Sequence, residues 1–433
     1  MDYFYFFFHL ALNLAGRQGE IAFITTNYYL TAAGARKLRA DFKQRALLRR
    51  LINFNELRIF ESALGQHNIV TMLRKGTGDE AVQTCVTNRT GQAKPQVLSR
   101  ILRGNDGDSQ YYEVAQAELY DGGENYIRLN RERVAAGSRK VTINAILDNI
   151  ATQGEALGKI ANINQGVVSG CDYVSPRNEE KLPANTRAIH GDGIFVLDLD
   201  NPRDKRVVMG FSENEKKLLR KFYKNSDIQR FSCSTNTSKR LLYIGRELND
   251  LSDYPHVLDH LKNFRAILTE RREVENGVIK FFQLQWPRSE GIFIGEKIVI
   301  PYRSEENAFA YNDAEWFCRS DCYVITQRYP NYALSYLLAL LNSRLYFQWL
   351  FHRGKRKGKV LEMMQIPLSE IPIKRISPDE QKPFIKLVDR ILVAKHRDAE
   401  ADTSALEREI DQLVYALYDL TPEEIQIVEG VAK

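Results

Sequence analysis

The sequence predicts an α/β sheet too short to close on itself, then an α+β region and a C-terminal helical hairpin. Three observations carry this. Residues 1–77 alternate helix and strand signals, residues 157–375 mix short apolar strands with helices, and residues 376–433 hold two capping boxes, each leading into a helix.

In order, Phe4 to Leu14 is an aromatic and leucine-rich run and reads as a buried helix. A turn at Gly16 to Gly19 leads to an apolar strand, Ile21 to Thr25, a basic helix, Gly34 to Arg49, and strands near Leu51 to Phe54 and Asn68 to Leu73. That is half a domain, because too few strands are present for a doubly wound sheet. Residues 79–142 are polar and turn-rich, with strand-like pieces at Gln110 to Val114 and Tyr126 to Leu129, and read as a β extension or linker. A helix is expected over Ile143 to Ile150. Beyond it the strand signals are Ile194 to Leu197, Leu241 to Ile244, Lys297 to Ile300 and Cys322 to Thr326, and the helix signals Ser212 to Phe222 and Asn331 to Phe351. Ser377-Pro378-Asp379-Glu380 then caps a helix whose stripe is Phe384, Leu387, Val388, Ile391 and Leu392. A second helix carries Leu406, Ile410, Leu413, Val414, Leu417 and Tyr418, and Thr421-Pro422-Glu423-Glu424 opens a short third one. These textures set the expected boundaries: 1–78, 79–156, 157–375 and 376–433.

Hydrophobic residues make up 44% and charged residues 27% of the 433, which excludes a disordered chain, a collagen-like one and a membrane transporter. The longest apolar run, Phe4 to Ala15, is interrupted by His9 and Asn13 and falls short of the ~20 residues a spanning helix needs. No signal-peptide pattern opens the chain, so a cytoplasmic protein without a membrane partner is expected. Five scattered cysteines (Cys85, Cys171, Cys233, Cys318, Cys322) do not make a disulfide framework. Cys318 and Cys322 lack a second ligand pair, so burial is expected of them and no metal site.

A net charge of +6 says little, but its distribution says more. From Arg344 to Leu361 the chain carries Arg344, Arg353, Lys355, Arg356, Lys357 and Lys359 and no acid, with Gly354 and Gly358 allowing close backbone approach. A bare basic run usually means a solvated loop. Here Tyr346, Phe347, Trp349 and Phe351 lead into it, which favours nucleic acid. Arg36, Arg39 and Lys43 share one helical face as a second basic cluster. Enzyme signatures fail: Asp379, Glu380 and Lys382 form a helix cap rather than a metal-nuclease set, and Asn201-Pro202-Arg203 reads as a turn. His67 and His352 have no evident catalytic partners.

Several segments together resemble the TaqI-like adenine-N6 DNA methyltransferases and their fused type IIG restriction-modification relatives. Asp2-Tyr3-Phe4-Tyr5-Phe6-Phe7 is similar to the helix after that family's catalytic loop, Gly19 to Asn27 to the following strand, and Gly34 to Arg39, here with one more residue before Leu38, to a Gly-x-x-Leu-Arg helix. Ile59-Phe60-Glu61-Ser62-Ala63-Leu64-Gly65-Gln66-His67-Asn68 resembles the segment whose phenylalanine stacks on the target base. Lys297 to Arg303, Phe309-Ala310-Tyr311, Leu340-Leu341-Asn342-Ser343, Gly354 to Gly358 and Ile371-Pro372-Ile373 follow the order of its target-recognition domain.

The resemblance implies an incomplete Rossmann-like methyltransferase sheet followed by a target-recognition domain. It implies a base-stacking role for Phe60 and a place for Phe7 beside the cofactor's adenine. It implies DNA contacts for Arg303, Asn342, Ser343, Arg353, Lys355, Arg356, Lys357 and Lys359. Double-stranded DNA is the expected partner, with a separate or upstream catalytic or nuclease region as a further one. The family's Phe-x-Gly-x-Gly and Asn-Pro-Pro-Tyr loops occur nowhere in the chain. S-adenosylmethionine is therefore expected in the complete enzyme and no cofactor in this chain alone. The alternative is a non-catalytic specificity protein that works with a separate catalytic chain.

Overall fold

The computed structural model describes residues 2–62, 66–130, 141–183, 186, 188–357 and 359–430. The chain divides into two compact units, Met1–Lys140 and Val141–Lys433. Both mix helices and sheets.

The first unit opens with α1 (Phe4–Leu14), whose buried side chains Tyr5, Phe8 and Leu12 recur at helical spacing. Only that stripe is covered. Phe6, Phe7, Leu10 and Leu14 are each more than half exposed, which corrects the fully buried helix expected from the apolar run. β1 (Glu20–Thr26) follows, then α2 (Arg36–Arg45), β2 (Ala46–Asn53), β3 (Leu57–Arg58), β4 (Asn68–Lys75), β5 (Val82–Thr87), β6 (Gly91–Gln92) and β7 (Ser109–Val114).

The expected helix to Arg49 stops four residues early, at Arg45. Ala46 to Asn53 instead pairs antiparallel with β4 and parallel with β5, and long-range pairing outweighs local helix propensity. The five-stranded sheet runs β1-β4-β2-β5-β7. Strands β5 and β7 lie in the region expected as a β extension or linker and do extend the sheet, so the boundary expected at 78/79 separates strands of one sheet. Phe8, Phe23, Tyr29 and Phe42 meet edge to face or tilted beneath it and fix α1 and α2 on the sheet.

In the second unit, one four-stranded antiparallel sheet joins Ala161–Gln165, Cys322–Gln327, Lys297–Pro301 and Ala310–Asn312 in that order. Another joins Val196–Asp198, Lys239–Leu242, Leu219–Tyr223 and Phe317–Cys318. Three local expectations change. Ser212 to Phe222 is one short helix, Glu213–Lys216, followed by a strand, because Leu219 to Lys221 pairs with Arg240 to Leu242. Asn331 to Phe351 is two helices, Leu334–Asn342 and Arg344–His352, broken at Ser343, which caps the second. Asn201-Pro202-Arg203 starts a helix, Pro202–Gly210, with proline at its first turn and the Asn201 side chain accepting from the Arg203 N–H.

Both C-terminal capping boxes form as expected, opening Pro378–Arg397 and Pro422–Val428, with Ser404–Leu417 between them. Phe384, Val388, Ile391, Ile410 and Val414 share one core with helix Leu334–Asn342. Cys318 and Cys322 are fully buried, and no metal-holding cluster occurs among the described residues. No helix among them is long and apolar enough to cross a membrane.

Candidate nucleic-acid interface

In the first unit β1 ends where β4 begins, Thr26 standing opposite Asn68, and β2 ends beside them at Asn53. The connection from 54 to 67 therefore lies at one end of the sheet. Amides tie it down: the Asn27 N–H donates to the His67 carbonyl at 2.7 Å, and the Phe54 N–H to the Asn68 carbonyl at 2.9 Å. The Asn27 side chain donates to Asn53 Oδ1 at 3.0 Å, which also accepts from the Asn55 N–H. Asn55 sits at φ +49°, a left-handed conformation that asparagine tolerates. Buried Thr26 Oγ1 and Asn68 Oδ1 have no hydrogen-bond partner among the described residues. Unpaired buried polar atoms are costly, so this end of the sheet is suited to a polar ligand.

Phe60 follows β3 in that connection and is 45% exposed. A core role is thereby excluded. Ala63, Leu64 and Gly65 of the same segment lie outside the described residues. Phe7 is likewise 58% exposed, on the outer side of α1. Sequence alone does not single out the asparagines and Thr26, although Thr25-Thr26-Asn27 and Asn53-x-Asn55 directly follow apolar strands.

The cations of the second basic cluster make contacts within the first unit. Arg39 is fully buried; its Nη1 donates to the carbonyls of Tyr29 and Ala32 and its Nε to that of Glu124. Burial lowers its pKa, and its guanidinium lies 5.0 Å from the Tyr126 ring centre. Arg36 pairs with Glu124, and Lys43 donates to Asn125 Oδ1.

In the second unit, Arg356–Lys357 and Val360–Glu362 form a hairpin that adds to Arg303–Ser304. Gly358 lies outside the described residues. Glu362 is buried beneath it, and both Arg303 (3.0 Å) and Lys355 (3.1 Å) reach its carboxylate. Burial alone would raise the Glu362 pKa, yet these two cations hold it below the usual carboxylate range. Arg356 and Lys359 are exposed, Lys357 is half-buried, and the Arg356 guanidinium stacks 4.2 Å from the Phe351 ring centre.

Three residues expected on the DNA are structural. Asn342 is fully buried and holds both the N–H and the carbonyl of Phe309, at 3.0 and 2.8 Å. Ser343, 1% exposed, caps the next helix. Arg353 is buried, and its Nη2 donates to Asp148 Oδ1 at 2.8 Å. Sequence suggests a DNA contact for each because it shows a polar side chain but not that side chain's distant partner.

Arg356, Lys357 and Lys359 are the hairpin's other basic side chains, Arg356 and Lys359 exposed and Lys357 half-buried. Replacing these three with alanine is expected to flatten the slope of log affinity for duplex DNA against log salt by roughly 0.9 for each phosphate no longer neutralised. Lys355→Ala should leave that slope nearly unchanged and lower the melting temperature instead, since it uncovers Glu362. Equal slopes for the triple variant and the parent would show the hairpin to be a solvated loop.

Residues 1–60 match the Eco57I restriction-modification methylase family, and residues 220–373 match the TaqI-like C-terminal specificity domain. The chain is 20% identical over 392 residues to the type II methyltransferase M.HindII of Haemophilus influenzae, covering 87% of this chain and 68% of the relative. To M.HincII of the same species it is 19% identical over 387 residues, covering 87% and 66%. A solved structure of the type IIL restriction-modification enzyme MmeI in complex with DNA is similar over 98% of this chain and 50% of that chain, with a TM-score of 0.56 and 13% identity, a likeness of fold. The chain thus spans about two thirds of these curated relatives and half of that structural neighbour. The resemblance seen in the sequence is borne out: a segment that matches the Eco57I restriction-modification methylase family precedes one that matches the TaqI-like C-terminal specificity domain.

Proposed function

We propose that this chain is the DNA-recognising portion of a site-specific adenine-N6 DNA methyltransferase of a restriction-modification system, active in the cytoplasm. The order of the two family matches, methylase segment first and specificity domain second, is the observation that carries this reading. The sheet of the first unit is the incomplete part of a Rossmann-like methyltransferase sheet, and the second unit holds the target-recognition domain. An adenine inside a duplex hides its N6, so the base must be turned out of the stack. Phe60, exposed at the polar end of the sheet, supplies a stacking wall, and the asparagines around it supply hydrogen bonds. Arg356, Lys357 and Lys359 hold phosphates, and Phe7 borders the cofactor's adenine.

S-adenosylmethionine, when bound in the whole enzyme, supplies the methyl group. Apart from Phe7, the residues present here do not make its site. The segment after β1 is a single turn of 3₁₀ helix, Asn27–Leu30, not a glycine-rich loop, and Phe-x-Gly-x-Gly and Asn-Pro-Pro-Tyr are absent from the chain. The second reading is a specificity protein that works with a separate catalytic chain. Both readings predict that the purified chain, given tritiated S-adenosylmethionine and DNA, incorporates methyl groups only at background level. Incorporation above background would contradict both.

A further inference from the structure

We propose a second phosphate-binding patch, formed by Lys221 and Arg240 where strands Leu219–Tyr223 and Lys239–Leu242 pair. It rests on the DNA-binding reading above and adds to it a surface that the basic hairpin does not include. The two residues are direct cross-strand partners in an antiparallel register. Like charges in that position repel and destabilise a sheet unless something anionic lies between or over them.

Nothing in the protein does so among the described residues. The acids around this sheet are committed to other cations: Asp198 to Lys239 at 2.6 Å, and Glu290 to Arg220 at 3.0 Å, with Glu315 3.8 Å from Arg220. No carboxylate of the described residues pairs with Lys221 or Arg240. Arg240 Nη1 donates only to carbonyls, those of Thr237 and Lys239, which steadies the guanidinium without neutralising it. Lys221 is exposed, and so is Lys224 just beyond the strand end.

The surroundings also suit a phosphate backbone. The segment Ser234-Thr235-Asn236-Thr237-Ser238 is polar and uncharged, with Thr235 and Asn236 exposed. It is fastened against the strand, the Tyr223 hydroxyl donating to the Thr235 carbonyl at 2.8 Å and the Thr237 hydroxyl to the Phe222 carbonyl at 3.0 Å. Small neutral donors beside fixed cations are the groups that contact sugar-phosphate chains. The patch lies inside the span that matches the specificity domain. Its ligand is the phosphate backbone of duplex DNA.

Two cations opposed for a ligand's sake give a signature that a structural pair would not. Lys221→Ala/Arg240→Ala in the full chain should lower the salt slope on mixed-sequence duplex DNA by about 1.8, at roughly 0.9 per phosphate, while the melting temperature stays level or rises. Lys221→Glu, which creates an ion pair with Arg240, should raise the melting temperature and weaken DNA binding more than alanine at that position does. An unchanged slope in the double variant, with the parent chain binding DNA normally, would overturn the patch alone. Failure of the parent chain to bind duplex DNA at all would overturn the patch and the reading on which it rests.

Discussion

Phe60→Ala should abolish most of the fluorescence rise from 2-aminopurine placed at the target position, when the chain is assayed with a catalytic half joined to it or supplied in trans. Stacking of an extruded base on an aromatic ring contributes ~1–3 kcal/mol, a loss of roughly 5- to 150-fold in the flipped population. The melting temperature should barely move, because Phe60 is 45% exposed and surface substitutions usually stay within about 0.5 kcal/mol. A phenylalanine in the core would instead cost ~3–5 kcal/mol when cut to alanine. Normal flipping by the variant would remove Phe60 from the site.

Arg39→Ala should do the opposite, unfolding much of the first unit with no specific effect on DNA contacts. The side chain is fully buried and satisfies three carbonyls, of Tyr29, Ala32 and Glu124. Stranding a buried acceptor costs ~1–3 kcal/mol, so the sum is a large part of a stability that is typically ~5–15 kcal/mol. Arg39→Lys keeps one charge but not the planar fork that reaches three acceptors, and should recover only part of the loss. Thermal unfolding followed by circular dichroism checks this. An unshifted melting temperature in Arg39→Ala would return the residue to the surface role its helical spacing suggested.

The contrast between these two residues marks what sequence could and could not show. Features written in a few consecutive residues were legible: the bounds of α1, both capping boxes at Ser377 and Thr421, and the apolar strands Lys297–Pro301 and Cys322–Gln327. Features that depend on a distant partner were not. Ala46 to Leu48 has helical propensity but becomes strand by pairing with β4, and Val82–Thr87 joins the sheet although its neighbourhood is turn-rich. The cations failed for the same reason. Arg353 meets Asp148 across more than two hundred residues of chain, and Lys355 meets a buried Glu362 on the facing strand, so a count of positive residues overstated the charge the hairpin presents. Phe60 was singled out by its similarity to a family segment; its exposure, which argues against a core role, came only with the fold.

The central claim, that this chain carries site-specific DNA recognition, is tested most directly by selecting bound duplexes from a randomised pool with the purified chain at increasing salt. Recognition predicts enrichment of one short motif, with its preference over other duplexes kept as total affinity falls, because base contacts discriminate while phosphate contacts respond to salt. Binding that enriches no motif at any salt concentration would contradict it.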